Sequence, residues 1–306
     1  MKILITGATG YVGNAIAGQF KKNGYDVTGL VRSKENAIRL DLADIKPLTG
    51  DLENIESFKD SLNSFDAVIH AGFVFNRDKG FEHTIKTEKI IVETIINSLS
   101  NTNKIFIYTS GTGVLGETGT LPVDESFVGN PVPFNAWRPA IEQLVIKAKG
   151  MKGIVIRPAM VYGNGGSPVL QAMINTAKTN KNTIHIGDGL NKWSVVHVAD
   201  LAQLYVQAIE KSAGGEIYHG SSSEAISMRD LALFINELLS IKQLPQPVTL
   251  EEGLKYFPFG ELLLTNIIAS NDKARRLLKW KPLNESIANE LKTEAYQKLA
   301  EPELIL

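Results

Sequence analysis

The 306-residue chain contains no cysteine, and its five histidines are scattered without the spacing of a metal site. The absence of cysteine excludes disulfide bonds, thiolate metal ligands and a cysteine nucleophile. Because metal sites draw His, Cys and carboxylates together at short, regular intervals, we also expect no bound metal. The histidines are His70, His83, His185, His197 and His219.

An excess of one charge and a long apolar run are also missing. The net charge is −1, and no basic run typical of nucleic-acid-binding arms occurs. The apolar start at residues 3–5 is too short for a signal peptide, and no later apolar run is long enough to span a bilayer. We therefore expect a cytoplasmic protein that binds neither nucleic acid nor membrane.

The first half of the chain alternates between two hydrophobic periods. Short runs rich in Ile and Val are typical of strands buried on both faces of a parallel sheet. Helical patterns follow these runs over residues 11–22, 54–62 and 81–99. This repetition predicts an α/β fold with a Rossmann-type, doubly wound parallel sheet. The strand runs are KILIT, DVTGLV, DAVIH, KIFIYTS and GIVIRP.

The pattern changes after Tyr162, where the turn-prone segment GNGGSP begins. Helical patterns over 170–179, 198–211 and 228–239 then mix with short strands near 183–186 and 216–219. We predict a Rossmann domain over 1–162 and a smaller, mainly substrate-binding C-terminal lobe over 163–306. Segments around 193–219 are expected to return to the first domain.

The segment GATGYVG directly follows the first predicted strand and opens a helix. Gly7 permits a tight turn, Gly10 lets the backbone approach a pyrophosphate, and Gly13 lets the helix pack on the strand. Phosphates then lie at the helix N-terminus, where free N–H groups favour negative charge. The segment predicts dinucleotide binding by Gly7, Thr9, Gly10, Tyr11, Val12 and Gly13.

The second strand ends on Arg32 and Ser33, where an NAD site usually carries an acidic residue. Arg32 can fork onto a 2′-phosphate and stack on adenine, so we predict NADP as the cofactor and favour it over NAD. The alternative is a solvated surface arginine. Asp26 comes too early in the strand to bind the ribose.

Seven segments together resemble the extended short-chain dehydrogenase/reductases, the NAD(P)-dependent epimerases and dehydratases. The resemblance implies that Asp51 and Leu52 lie beside the adenine, and that His197 and Asp200 hold the two lobes together. Further cofactor contacts that it implies are Ala71, Gly72, Thr109, Pro158 and Val161. The segments are GATGYVG, GDL (50–52), HAG (70–72), YTSGTGVLG (108–116), RPAMVYG (157–163), WSVVHVADLA (193–202) and KARRLLKWKP (273–282).

The chain departs from the family's catalytic pair, a tyrosine followed four residues later by a lysine. With the family's downstream glutamate aligned on Glu142, these positions hold Phe134 and Arg138. Phe134 has no ionisable group and cannot transfer a proton. Arg138 can still donate to ribose hydroxyls, but it stays protonated. Pro139 predicts that the helix begins near Arg138.

The family's serine position is also altered, because alignment on Gly116 places Gly111 there, flanked by Ser110 and Thr112. One hypothesis is that Tyr162 or Thr112 replaces the lost acid, directly or through water. Alternatively, Tyr162 is a packing residue with a wet hydroxyl. The candidate catalytic residues are Ser110, Thr112, Arg138 and Tyr162.

Two functional hypotheses follow. The first is an NAD(P)-dependent oxidoreductase or epimerase/dehydratase-like enzyme, which acts on a small polar carbonyl or alcohol with a non-standard proton donor. The second is a catalytically silent, NADP(H)-binding regulator or redox sensor.

The helices over 81–99 and 134–150 could form a homodimer interface, as the resemblance implies. Alternatively, Ile90, Ile91 and Ile95 face the sheet.

Overall fold

The computed structural model describes residues 1–75, 78–257, 259–284 and 286–301. Its strands and α-helices alternate along the first half of the chain, as predicted. The strands are β1 (Lys2–Thr6), β2 (Asp26–Val31), β3 (Lys46–Thr49), β4 (Ala67–His70), β5 (Ile105–Thr109), β6 (Lys152–Pro158), β7 (Met160–Tyr162), β8 (Ile184–Ile186), β9 (Lys192–His197), β10 (Glu216–Gly220), β11 (Ala225–Ser227) and β12 (Gln246–Val248). The α-helices are α1 (Tyr11–Lys22), α2 (Lys34–Leu42), α3 (Gly80–Leu99), α4 (Arg138–Lys147), α5 (Pro168–Asn180), α6 (Val198–Lys211), α7 (Met228–Leu238), α8 (Leu250–Leu254), α9 (Ile287–Glu290) and α10 (Glu294–Ala300).

Seven strands form the central sheet in the order β10-β6-β5-β4-β1-β2-β3. Every pairing in this sheet is parallel. The order reverses between β1 and β4, and the carboxyl ends of the strands flank a crevice at such a switch point. The predicted Rossmann-type sheet is therefore confirmed.

Both faces of the sheet are buried, which explains the continuous apolar strands. Ile3 and Ile5 of β1 contribute to one core with α1 and α6. Leu4, between them, faces the opposite core with α3 and α4. Because successive side chains of a strand point to opposite faces, two helical layers cover the sheet.

The prediction of a single helix over 54–62 is wrong. The structure has two 3₁₀ helices there, Ile55–Ser57 and Lys59–Ser64. Phe58 between them leaves the helical region, with φ −143° and ψ −4°, and its ring is buried under the sheet. Burial of this ring outweighs the local helical pattern.

The C-terminal half has its own core, packed around short sheets. Strands β11, β9 and β7 form one sheet, and β12 pairs with β8. By contrast, β10 joins the central sheet beside β6, and α6 packs against α1. The division at residue 162 stays a prediction.

Helix α3 lies against the sheet with Ile91 and Ile95 buried, whereas Ile90 is 43% exposed. Homodimer formation through this helix stays a prediction. Within the described residues, no helix is both long and apolar enough to cross a membrane.

Candidate cofactor and active site

The glycine turn after β1 is closed by backbone contacts that exclude larger residues. Gly7 has φ +71°, and a Cβ there would lie 2.7 Å from the Ala71 carbonyl oxygen. A Cβ on Gly13 would lie 2.1 Å from the Gly7 carbonyl oxygen. These approaches fix helix α1 against the turn, as the motif predicts.

Helix α1 begins without a side-chain cap. Gly10 is its N-cap residue, and within the described residues no side chain accepts a hydrogen bond from the first turn, which also has no acidic residue. The N–H groups of Tyr11, Val12 and Gly13 at this end therefore remain available to an anion.

A cleft of about 400 Å³ opens above this helix end, at the carboxyl ends of β1 to β4. It brings together most of the residues predicted to hold the adenosine and the phosphates. It also includes residues that the motifs did not indicate: Asn36, Glu53, Phe73, Val74 and Phe75. The predicted residues in its lining are Gly7, Thr9, Gly10, Arg32, Asp51, Leu52, Ala71 and Gly72.

Arg32 and Ser33 have different roles at the end of β2. Arg32 lines the cleft and is exposed, and among the described residues it has no hydrogen bond or ion pair. The Ser33 hydroxyl instead accepts a hydrogen bond from the Asn36 N–H at 3.2 Å and caps α2. This geometry orients Asn36 at the cleft edge.

The acidic side of the cleft is organised around Glu53. Its Oε1 accepts hydrogen bonds from Lys79 Nζ and from the ring of His83, each at 2.9 Å. The hydrogen bonds from Lys79 and then His83 lower the pKa of Glu53 to about 2. Asp51 accepts a hydrogen bond from the Glu53 N–H at 3.0 Å, which shapes the rim beside Leu52.

These features fit a dinucleotide. The close-packed glycines leave space that any side chain would fill, and the uncapped helix end supplies N–H donors for a pyrophosphate. The exposed guanidinium of Arg32 supplies a cation at the ribose end of the same cleft.

Comparison with known proteins agrees with this geometry. The profile of the NAD dependent epimerase/dehydratase family matches residues 3–219. This chain belongs to that family. An uncharacterized Schizosaccharomyces pombe protein is 33% identical over 298 residues, covering 97% of this chain and 100% of its own. The 4-hydroxy-2-methyl-3-oxo-4-farnesyl-3,4-dihydroquinoline-1-oxide ketoreductase of Stigmatella aurantiaca is 26% identical over 252 residues, covering 79% of this chain and 74% of its own.

The fold of this epimerase/dehydratase family member is shared with solved structures of low sequence identity. The dTDP-glucose 4,6-dehydratase DesIV of Streptomyces venezuelae, solved with NAD and TYD bound, has a TM-score of 0.80 at 19% identity, covering 98% of this chain and 97% of its own. Pal from Bacillus thuringiensis has a TM-score of 0.79 at 22% identity, covering 98% and 100%.

At the other end of the site, Phe134 lies among aromatic rings. Its ring stacks on Phe81 with centroids 5.2 Å apart and lies 6.5 Å from the Phe259 ring. The position predicted to correspond to the family's tyrosine is therefore apolar and half-buried.

Arg138 begins helix α4, as Pro139 predicts. Its guanidinium carbon lies 4.5 Å from the Trp137 ring centroid and 5.1 Å from that of Phe73. Arg138 Nη1 donates to the Tyr108 hydroxyl at 3.4 Å. Because Phe73 lines the cleft, this cation borders the cofactor site without lining the cleft itself.

The predicted hydroxyl candidates do not line the cleft. Ser110 Oγ is buried, with no hydrogen-bond partner in the described part of the chain. Thr112 is 5% exposed and starts a 3₁₀ helix, Thr112–Leu115. Thr109, before them, is hydrogen-bonded to the buried Tyr205 hydroxyl at 2.8 Å.

Tyr162 is only 2% exposed and packs edge-on against the His197 ring, with centroids 5.5 Å apart. Burial, then the charge of Glu224, raises the pKa of Tyr162 well above its usual value. Nearby, Pro158 is buried and Val161 half-buried against the central core. Neither of these lines the cleft.

Two predicted residues, Tyr11 and Asp200, form hydrogen bonds to distant parts of the C-terminal half, whereas His197 makes a local helix cap. The Tyr11 hydroxyl donates to the Gly163 carbonyl at 2.8 Å. His197 Nδ1 accepts from the Ala199 N–H at 3.2 Å and caps α6. Asp200 accepts hydrogen bonds from the backbone N–H groups of residues 283 and 284, each at 3.0 Å.

Glu88, a buried carboxylate on the sheet-facing side of α3, is not among the residues predicted from the sequence. The helical spacing of the apolar residues in this segment could have identified Glu88 as buried. Glu88 is three residues before Ile91 and seven before Ile95, on the face that the apolar pattern assigns to the core.

Proposed function

We propose that this protein is an NADP-dependent oxidoreductase that transfers a hydride to or from a small carbonyl or alcohol compound. The observation that carries the proposal is the cleft itself: close-packed glycines, an uncapped helix end and Arg32 border one volume. When bound, the nicotinamide would supply or accept the hydride.

Arg32 supports NADP over NAD. The residue that ends β2 is the one that distinguishes a ribose hydroxyl from a ribose phosphate in Rossmann sites. A guanidinium free of intramolecular partners in the described residues can bind a phosphate bidentately without first breaking an ion pair. Asn36 also lines the cleft and adds a second polar group, with its side-chain Oδ1 accepting a hydrogen bond from Arg39 at 3.3 Å.

The carbonyl oxygen would be held by hydroxyls near the end of β5 instead of by a tyrosine. Ser110 supports this role because its buried Oγ has no described partner, and a buried hydroxyl is costly unless it is hydrogen-bonded. Thr112 and Tyr162 remain the other candidates. With no ionisable group on Phe134, the proton would come from water.

The substrate would carry an apolar part beside its carbonyl. The polar substrate expected from the sequence stays a prediction, but the rings of Phe81, Phe134 and Phe259 favour apolar contact at the family's tyrosine position. The name of the Stigmatella ketoreductase likewise describes a carbonyl compound with a farnesyl chain.

The test is oxidation of NADPH by the purified protein in the presence of matched ketones that carry apolar or polar substituents. The proposal expects turnover with the apolar series, and expects Ser110→Ala to lower kcat at least about tenfold, the usual scale of a lost hydrogen bond in the transition state. Thr179→Val is the control, because that exposed hydroxyl bonds only the α5 backbone.

The second candidate is the silent NADP(H)-binding regulator, which the apolar environment of Phe134 favours. Tight NADPH binding with no turnover of any ketone or alcohol would select the regulator over the enzyme.

A further inference from the structure

A network of polar side chains lies beneath the cofactor cleft, between the sheet and α3. At its centre is Glu88, which is 2% exposed. A buried carboxylate is strongly destabilising unless charged or hydrogen-bonding partners surround it. The polar residues linked to it, directly or through His70, come from β1, β4, β5 and α4.

One arm of this network, formed by His70 and Thr6, connects Glu88 to the backbone of the cleft. Glu88 Oε1 lies 3.4 Å from His70 Nε2. The other ring nitrogen of His70 is hydrogen-bonded to Thr6 Oγ1 at 2.6 Å, and that oxygen accepts from the Gly72 N–H at 3.2 Å. The contact between His70 and Glu88 is at ion-pair distance but lacks hydrogen-bond geometry, so a proton on Nε2 would stabilise the carboxylate through its charge.

The other arm reaches Arg138. The Tyr108 hydroxyl faces the Glu88 carboxylate and accepts a hydrogen bond from Arg138 Nη1 at 3.4 Å. Burial raises the pKa of Glu88, but His70, Arg138 and Tyr108 together hold it below its usual value. The carboxylate therefore stays ionised at neutral pH and attracts the guanidinium through Tyr108.

We propose that Glu88 is a positioning residue for the cofactor site, because both arms end on its carboxylate. Through His70 and Thr6 it sets the position of the Gly72 N–H at the cleft, and through Tyr108 it holds the Arg138 guanidinium beside Phe73. Arg138 replaces the family's lysine, and the anion behind it fixes where that cation points. The inference rests on the proposed function only in assuming that the cofactor occupies this cleft.

The test compares Glu88→Gln with Thr84→Val by NADPH titration, followed by nicotinamide fluorescence, and by thermal unfolding without cofactor. Glu88→Gln keeps the shape and removes the charge. We expect its Kd for NADPH to rise about tenfold, the scale of a hydrogen bond to a charged group. Thr84→Val is the matched control, because Thr84 is buried on the same helix and its hydroxyl has no partner among the described residues. It should leave the Kd unchanged.

A second variant, Tyr108→Phe, cuts only the Arg138 arm and keeps the carboxylate beside His70. It should raise the Kd about threefold, and combined with Glu88→Gln it should add less than its separate effect, because both changes act on one chain of contacts. If Glu88→Gln does not fold, the Kd of Tyr108→Phe decides.

A lower Tm with an unchanged Kd in Glu88→Gln, or an unchanged Kd in a folded Tyr108→Phe, would make Glu88 a purely structural residue and overturn the inference. In that case the wild-type protein still binds NADPH and the proposed function stands. If the wild-type protein binds no nicotinamide cofactor, the proposed function fails, and this inference fails with it.

Discussion

The two ends of the proposed cofactor site differ in the groups that form them. At the adenosine end, backbone N–H groups, close-packed glycines and exposed charged side chains surround an open cleft. Behind the other end lie buried charges. Glu88 lies 3.4 Å from the His70 ring, and Arg157 forms two hydrogen bonds with Glu142 at 3.0 and 2.6 Å.

The two ends differ in how easily single substitutions can change them. A site made of backbone is preserved as long as the glycines and the strand–helix turn remain. A site made of side chains changes its chemistry when one residue changes, as we expect where Phe134 aligns with the family's tyrosine. The family's cofactor site and its catalytic residues can therefore separate within one fold.

The largest effect is expected from Gly13→Ala, at the adenosine end of the cleft. The new Cβ would lie 2.1 Å from the Gly7 oxygen, so turn and helix must move apart. We expect a loss of about 1–3 kcal/mol in the free energy of unfolding. NADPH affinity should fall at least about 100-fold, because the helix N-terminus is displaced from its anion.

Gly18→Ala is the control for this change. It lies in the same helix with nothing within 4 Å of its Cβ, so stability should rise slightly and binding should not change. Equal behaviour of the two variants would contradict the account of the turn.

Acid should lower the stability of the region of buried charged side chains around Arg157 and His219 first. Burial, then the charge of Arg157, lowers the pKa of His219 to about 3. The unfolded chain binds this proton near pH 6.5 while the folded protein does not, so stability is lost as the pH falls below 6.5. The loss from this group at pH 5 is about 2 kcal/mol.

Urea unfolding of the wild-type protein and of His219→Gln at pH 7 and pH 5 measures this loss. The variant should lose about 2 kcal/mol less between the two pH values. An equal pH dependence in both proteins would show that His219 is protonated in the fold.

Removal of the cation at the adenosine end should change selectivity more than stability. Arg32→Ala is expected to weaken NADPH binding at least about tenfold and to leave NADH binding unchanged, because only NADPH carries the 2′-phosphate. Arg275→Ala removes another exposed arginine, outside the cleft. The same loss with Arg275→Ala would indicate a general charge effect.

The smallest effect is expected from Phe134→Tyr. The half-buried ring does not line the cleft, so NADPH affinity should stay within about twofold and stability within about 1 kcal/mol. A tenfold change in affinity, by the same fluorescence titration, would show that this position contacts the cofactor and that the two ends are not separate.

Much of the backbone-built region could be predicted from the sequence, because its information is local. The GATGYVG segment specifies a strand, a turn and a helix within a few residues, and the apolar strands predict the parallel sheet. Tertiary contact explains the error over residues 54–62, where burial of Phe58 interrupts a predicted helix. The Ser33 hydroxyl caps α2, and its contact with the cofactor stays a prediction.

The side-chain-built region could not be predicted in the same way. Glu88 of α3 lies close to His70, Tyr108 and Arg138, which come from three other elements. No local pattern indicates which buried residue faces which. Phe134 could be identified as a departure from the family, but its stacking on Phe81 depends on how α3 lies against the chain before α4.

The most direct test of the central claim is a pair of titrations of the wild-type protein with NADPH and NADH, followed by nicotinamide fluorescence. The account predicts that both bind and that NADPH binds at least about tenfold more tightly, as expected for a charge-assisted contact to the 2′-phosphate. Binding of neither would contradict the claim that the cleft holds a dinucleotide, and equal binding would contradict the role of Arg32.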